Sequence, residues 1–238
     1  KDTPDSSFTA VLSLYDGKKI PISDETHANS IVDSVKNEKF IVDSVERKER
    51  KKNALPPYIT STLQQEASRK LRFSVKKTMM LAQKLYEGID LGEEGPVGLI
   101  TYMRTDSVRI SGNALNEARE LINVTYGGEY LPVKPNTFKV KKSAQDAHEA
   151  IRPTYVGKLP DSVKGYLSDD EFQLYKLIWQ RFVASQMNPI IYDQTAVEIN
   201  AGRGTFRVTG SVVKFPGFSA VYLEGMEEEE EEKEKDEM

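Results

Sequence analysis

The 238-residue chain has no cysteine, one tryptophan and only two histidines. Without cysteine these residues can form no disulfide, no thiolate nucleophile and no cysteine-ligated zinc site. That composition fits a reducing compartment. No run approaches the roughly 18 apolar residues of a membrane span. The start lacks the basic-then-apolar pattern of a secretory signal. An excess of basic charge is also missing, since the formal net charge is −4. That figure hides a division. Residues 227–238 hold nine acids and two lysines, and without them 31 basic side chains face 28 acidic ones, a body of +3. Mild basicity permits nucleic-acid binding without requiring it.

What is present is enough apolar material for a core: 38% hydrophobic and 9% aromatic residues, in a length that suits one large or two small domains. Alternation from Phe8, the turn signal Asp16-Gly17 and a second run over 18–22 predict a β-hairpin. Ala28, Ile31, Val32 and Val35 share a helical face, predicting a short helix over 27–37. Residues 39–52 read as a strand that starts apolar at Phe40-Ile41-Val42 and ends in a charged run, with Pro56-Pro57 breaking it.

The pattern then turns helical. Ser61 with Gln64 three positions later is a capping-box start, followed by Leu63, Ala67 and Leu71 at helical spacing. Ser74 opens a second helix through Tyr86, with Val75, Met79, Ala82 and Leu85 or Tyr86 expected inward. Residues 88–98 read as a glycine- and acid-rich surface loop, 99–106 as a short extended segment, and 111–123 as another helix. Ser168-Asp169-Asp170-Glu171 caps a long helix and sets acids at its positive end. Phe172, Tyr175, Leu177, Ile178, Trp179, Phe182 and Val183 give that helix a wide buried face, and Asn188-Pro189 ends it. Strand patterns return over 190–200, 205–215 and 218–223.

This order predicts an α+β fold: a helical domain over 58–188 inserted into a β-rich domain made of 1–57 and 189–225. The acidic tail 226–238 cannot bury itself and is expected to be disordered.

The chemistry concentrates in two segments. In an extended Gly98–Ser107 stretch, Tyr102, Arg104 and Asp106 share one face, while Leu99, Thr101, Met103 and Thr105 share the other. A helix would set Tyr102 and Arg104 about 200° apart. A phenol titrates near pH 10 and needs activation to act as a nucleophile at neutrality. A nearby guanidinium can lower that pKa and bind phosphate oxygens as charge develops, and the carboxylate can hold the guanidinium. A helix start near 107–111 would offer backbone N–H groups to a phosphate. Spacing alone leaves open a structural tyrosine beside a solvated Arg–Asp pair.

The second segment is Asp146-Ala147-His148-Glu149-Ala150-Ile151-Arg152-Pro153-Thr154. His148 can protonate a leaving oxygen; a surface histidine in a polar turn is the plainer alternative. His148 and Glu149 are not read as metal ligands, because neighbours on a helix do not share a face and no third ligand is apparent.

At this point the residues resemble a known family. Leu99-Ile100-Thr101-Tyr102-Met103-Arg104-Thr105-Asp106-Ser107 resembles the active-site segment of the type IA DNA topoisomerases in its bacterial topoisomerase I form. Ala147-His148-Glu149-Ala150-Ile151-Arg152-Pro153-Thr154 resembles their histidine segment. Ser61-Thr62-Leu63-Gln64-Gln65-Glu66-Ala67 and the helix from Val75 to Tyr86 resemble their helical lead-in. The four motifs run in the family's order over 55–189. Met103 stands where the topoisomerase III branch more often has proline; that branch and reverse gyrase are the alternatives within the family.

The resemblance implies a site and a reaction. Tyr102 would attack a phosphodiester of single-stranded DNA and become joined to the 5′ phosphate. Arg104 would stabilise the transition state, and His148 would assist by hydrogen bonding or proton transfer. Asp106, Thr105 and Glu149 would support them. Ser61, Gln64, Lys76, Lys77 and Arg152 would contact DNA; by residue type Lys84 and the basic run 47–52 are further phosphate candidates. Strand passage and religation would relax negatively supercoiled DNA without ATP. The fold implied is part of a toroid, with a hinging β-rich arch and a helical domain carrying the tyrosine. The enzyme would be cytoplasmic and nucleoid-associated, with no membrane partner.

The family's amino-terminal metal-binding domain has no counterpart in these residues and is expected to precede Lys1 in a longer chain, where Mg²⁺ ligands would lie. This chain alone would then be inactive or only DNA-binding. Two readings from other classes are a non-catalytic single-stranded DNA-binding module and an interaction protein with an acidic arm.

Overall fold

The structure, a computed structural model, describes residues 7–139 and 148–222. Asp146 and Ala147 of the histidine segment and the acidic tail lie outside the described residues. The architecture mixes helices and strands in the order β1 (Val11–Tyr15), α1 (Glu25–Val35), β2 (Ile41–Lys52), α2 (Thr60–Leu71), α3 (Val75–Glu87), β3 (Ile89–Asp90), β4 (Pro96–Val97), α4 (Gly112–Thr125), α5 (Pro160–Val163), α6 (Asp169–Ser185), β5 (Ile190–Ala201) and β6 (Gly204–Phe215). The chain separates into two compact units, one from residues 1–51 with 191–215 and the other from 52–190 with 216–238. The first is therefore drawn from two stretches of sequence.

The first unit is built on a four-stranded sheet in the order β1-β6-β5-β2, with β6 antiparallel to both β1 and β5. β5 and β6 form the hairpin that the turn residues 201–204 announce. Gly202 adopts φ of +55°, and a β-carbon there would sit 2.8 Å from the Glu38 side chain. The expected hairpin over 8–22 forms only in part. Its turn exists, with Asp16 and Gly17 at positive φ, but Lys18 makes a single bridge back to Tyr15 and no return strand follows. β1 takes its ladder from β6 instead, and Pro21 lacks the N–H that a second ladder would need. Asp16 meets Arg203 of the β5–β6 turn in an exposed ion pair. On α1, Ile31 and Val35 are buried while Val32 is exposed.

The second unit is helical. Ser168 accepts the Glu171 N–H and Glu171 caps Ser168 in return, so α6 begins with both halves of a capping box. Leu174, Tyr175, Ile178 and Phe182 of α6 are fully buried and form its core. α2 starts one residue before the expected cap: Ile59 takes the cap position, its N–H bonded to Thr62 Oγ1 at 3.0 Å, and Ser61 lies in the first turn. α3 begins at Ser74 as expected, but its buried face is rotated. Thr78, Leu81, Ala82 and Leu85 point inward, and Val75 and Tyr86 stay exposed. Thr78 tolerates burial because its hydroxyl donates to Ser74 O at 3.0 Å.

Residues 88–98, expected as a glycine- and acid-rich surface loop, contain the short β3–β4 ladder. The strand expected over 218–223 is a 3₁₀ turn over Gly217–Ala220. Gly217 forces that change. It runs against the backbone of 188–189, where a β-carbon would lie 2.2 Å from Pro189 O, and the Phe218 N–H bonds Asn188 O at 2.9 Å. No helix among the described residues is long and apolar enough to cross a membrane.

Candidate active site

The segment carrying Tyr102 starts where α3 ends. Leu99 N–H donates to Leu85 O at 2.7 Å, and Gly98 passes so close that a β-carbon would sit 2.7 Å from Tyr86 O. Thr101 N–H then donates to Arg152 O, and Thr154 N–H to Leu99 O, both at 2.9 Å. The Thr101 hydroxyl donates to Ala150 O at 2.6 Å and accepts Arg152 N–H at 3.0 Å. The histidine segment is held further by Ala150 N–H to Arg109 O and Ile151 N–H to Tyr58 O, each 2.8 Å. Three motifs distant in sequence are thus stitched by backbone bonds. The stitching stops short of a regular strand, because Pro153 has no N–H and the pairing reduces to one bridge at Ile100.

Alternation nevertheless holds. Met103, Thr105 and Ser107 are buried, and Tyr102, Arg104 and Asp106 are exposed. The start of α2 sets the bend at 103–104. Thr60 N–H donates to Thr105 O at 2.9 Å. Its hydroxyl accepts Thr105 N–H at 2.9 Å and lies 2.8 and 3.0 Å from the carbonyls of Met103 and Thr105. Thr60 escapes a sequence reading, since nothing marks it apart from its neighbours. Thr60→Val keeps the shape and the backbone bond to Thr105 O but removes the hydroxyl partner of Thr105 N–H and Met103 O, so we expect a loss of about 1–3 kcal/mol in chemical denaturation.

The Tyr102 ring packs edge-to-face on Tyr86, with centroids 5.4 Å apart, and lies 6.2 Å from the His148 ring. Tyr102, His148, Thr101, Thr105 and Glu149 line a recess of about 230 Å³. His148 and Thr105 also line a larger open cleft of about 580 Å³, together with Ile59, Thr60, Ser61, Gln64, Arg104 and Asp106. The tyrosine, arginine and histidine of the sequence reading therefore border two hollows that share a wall.

Other candidates fall elsewhere. No ion pair joins Arg104 to Asp106 among the described residues, so the carboxylate does not hold the guanidinium. Of the N–H groups expected to await a phosphate ahead of α4, two are satisfied internally: Ser107 N–H by Thr105 Oγ1 and Arg109 N–H by Ser107 Oγ. Arg152 is nearly buried. Its guanidinium bonds Glu149 at 2.6 and 2.8 Å, Pro153 O at 2.8 Å and Ser111 Oγ at 3.3 Å. Arg152 and Glu149 thereby brace the histidine segment against the start of α4. Lys77 pairs with Asp170 at 2.8 Å and Lys84 with Glu171 at 3.3 Å; Lys76 is exposed beside them. The basic run 47–52 lies on β2, and all of it but Lys52 belongs to the other unit. No three His, Asp or Glu side chains gather to hold an ion among the described residues. Asp106 is the one carboxylate among the residues lining the larger cleft, so these residues alone do not make a cage for Mg²⁺.

An exposed phenol beside an imidazole, opening on a cleft with a guanidinium, defines a site suited to phosphoryl transfer onto tyrosine. A family model described as DNA topoisomerase matches residues 7–238, and the chain belongs to that family. DNA topoisomerase 1 of Xylella fastidiosa (strain Temecula1 / ATCC 700964) is 51% identical over 230 residues, covering 93% of this chain and 28% of the relative. DNA topoisomerase 1 of Rickettsia prowazekii (strain Madrid E) is 47% identical over 234 residues, 96% of this chain and 30% of the relative. The solved structure of full-length topoisomerase I from Thermotoga maritima superposes with a TM-score of 0.72 at 39% identity, over 89% of this chain and 33% of that one. The chain thus spans less than a third of the length of the curated relatives it matches.

Proposed function

We propose that this chain is the tyrosine-bearing part of a type IA DNA topoisomerase, an isomerase that relaxes negatively supercoiled DNA without ATP. The observation that carries the reading is the cleft itself. Tyr102 and Arg104 share one segment and His148 comes from another, 44 positions beyond Arg104, yet all three border hollows sharing one wall. The relatives named DNA topoisomerase 1 favour that branch over topoisomerase III or reverse gyrase.

In this reading the Tyr102 oxygen attacks a backbone phosphorus of single-stranded DNA. The P–O3′ bond breaks, the phosphate stays on tyrosine through its 5′ side, and the 3′ hydroxyl leaves with a proton. Arg104 stabilises the charge that builds on the phosphate oxygens. His148 handles the proton of the leaving oxygen. Asp106 and Thr105 shape the cleft, while Glu149 and Arg152 hold the histidine segment. Ser61 and Gln64 line the cleft that a strand would occupy, and Lys76, with Lys77 in exchange for its Asp170 pairing, would add phosphate contacts from α3. Religation is the reverse displacement, and because one ester replaces another no nucleotide is consumed. The helical domain over 58–188 would be inserted in an arch built from 1–57 and 189–225, as part of a toroid acting at the nucleoid. Mg²⁺ would be held by residues outside this chain.

The test mixes the chain with a labelled single-stranded oligonucleotide, with and without Mg²⁺ and the remaining domains of the enzyme. The chain alone is expected to bind weakly, with affinity falling as salt rises by a log–log slope of about −0.7 per phosphate contacted. A denaturation-resistant adduct is expected once the remaining domains are supplied. Salt-independent binding and no adduct in the complete enzyme would overturn the reading.

A further inference from the structure

Helix α6 carries an arginine inside its most apolar stretch. Arg181 is 4% exposed between Leu177, Ile178, Phe182 and Val183. Burying a guanidinium is costly unless it is paired and packed. Here its central carbon lies 4.8 Å from the ring centroid of Tyr58 and 4.9 Å from that of Tyr222, so it sits against two aromatic rings. Its Nη2 is 3.9 Å from Glu66 Oε2 on α2. The Tyr222 hydroxyl donates to the same carboxylate oxygen at 2.6 Å. With that proton committed, the 3.0 Å contact between the two tyrosine hydroxyls runs from Tyr58 to Tyr222. Arg69 at 2.6 Å and Lys70 at 3.7 Å complete the surroundings of Glu66.

The protonation states agree with this direction. Burial works against the Glu66 charge, but the Tyr222 hydroxyl, Arg181, Arg69 and Lys70 outweigh it and hold the carboxyl below the usual range. Burial pushes both tyrosines above theirs, which keeps the two protons in place.

A buried charged network is weak evidence of stabilisation, since apolar side chains of equal volume often serve as well. Its connections suggest another use. Tyr58 O accepts the Ile151 N–H of the histidine segment, and the next two residues, Ile59 and Thr60, line the cleft. Glu66 lies on α2, whose first turns supply Thr60, Ser61 and Gln64 to the same cleft. Tyr58 and Tyr222 also lie just inside the two points where the chain passes into the helical unit.

We infer that Tyr222, Glu66 and Arg181 act through Tyr58 as positioning residues, holding the start of α2 and the histidine segment at the spacing that cleavage requires. The inference rests on reading the cleft as a cleavage site. Small displacements at a reacting centre cost rate steeply, about 10²-fold for 1 Å. Tyr222→Phe removes one hydroxyl and keeps the ring against Arg181. In the full-length enzyme it is expected to slow single-turnover oligonucleotide cleavage about tenfold, while the oligonucleotide Kd stays within about twofold. Tyr58→Phe removes the donor of the same chain of bonds, so the double variant should cleave within about twofold of the slower single one.

Cleavage by Tyr222→Phe within twofold of the parent enzyme, whatever its unfolding temperature, would make the network packing alone. The parent enzyme separates the two claims in the same assay. If it forms a Tyr102-linked adduct while Tyr222→Phe is unimpaired, only the positioning inference falls. If the parent forms no such adduct, the cleavage reading falls and takes this inference with it.

Discussion

Tyr102→Phe in the full-length enzyme should lower strand cleavage by at least about 10⁴-fold, because it removes the oxygen proposed to form the covalent link. The fold should be nearly indifferent. The side chain is 41% exposed, and phenylalanine keeps the edge-to-face contact with Tyr86 and the approach to His148. Losing one partly exposed hydroxyl costs well under about 1 kcal/mol, which for a chain of this size is a shift of at most about 2 °C in unfolding temperature. Cleavage is read as the denaturation-resistant adduct with labelled single-stranded DNA, and folding by thermal unfolding of the same preparation. An undiminished adduct in the variant would remove Tyr102 as nucleophile.

The second large effect is at Arg104. Arg104→Ala should slow cleavage by about 10²–10³-fold, the usual loss when a charge-stabilising donor is removed from a reacting centre. Oligonucleotide affinity should fall by less than about fivefold, because an exposed phosphate contact contributes little to the ground state. The asymmetry follows from where charge develops: the guanidinium is needed most when the phosphorus carries both oxygens. Arg104→Lys should recover only part of the rate, since an ammonium lacks the planar fork that spans two phosphate oxygens. The check is single-turnover cleavage against equilibrium binding in a Tyr102→Phe background. Equal losses in both would make Arg104 a simple phosphate anchor.

The aromatic and polar neighbours explain why these positions respond so differently from those around them. Thr60 and Thr101 spend their hydroxyls on the backbone of the two chemistry-bearing segments. Arg152 spends its guanidinium on Glu149 and on carbonyls. Substitutions there should act on geometry before chemistry. Tyr102, Arg104 and Asp106 are left outward on a segment whose alternate residues are locked inside.

The sequence alone determined what depends on short-range order. The caps at Ser74 and Ser168, the β5–β6 hairpin, the buried stripe of α6 and the exposure of Tyr102, Arg104 and Asp106 all follow from spacings of two to four residues. The motifs likewise carried the resemblance, because each is contiguous. Tertiary structure decided what depends on a distant partner. β1 took β6 as neighbour and left 18–22 without a strand. α3 turned Thr78, Leu81 and Leu85 inward because that is the face it packs against α2 and α6, and Ser74 O then satisfies the buried Thr78 hydroxyl. Arg152, already beside Glu149 in sequence, became a brace because Ser111 was brought to it from 41 positions away. Tyr58, Glu66, Arg181 and Tyr222 are spread over more than 160 positions, and nothing local announces that they meet. Propensity and periodicity reach about one helical turn or one strand pair; the choice among long-range partners is made by burial and by satisfying every polar group, and only the folded chain shows it.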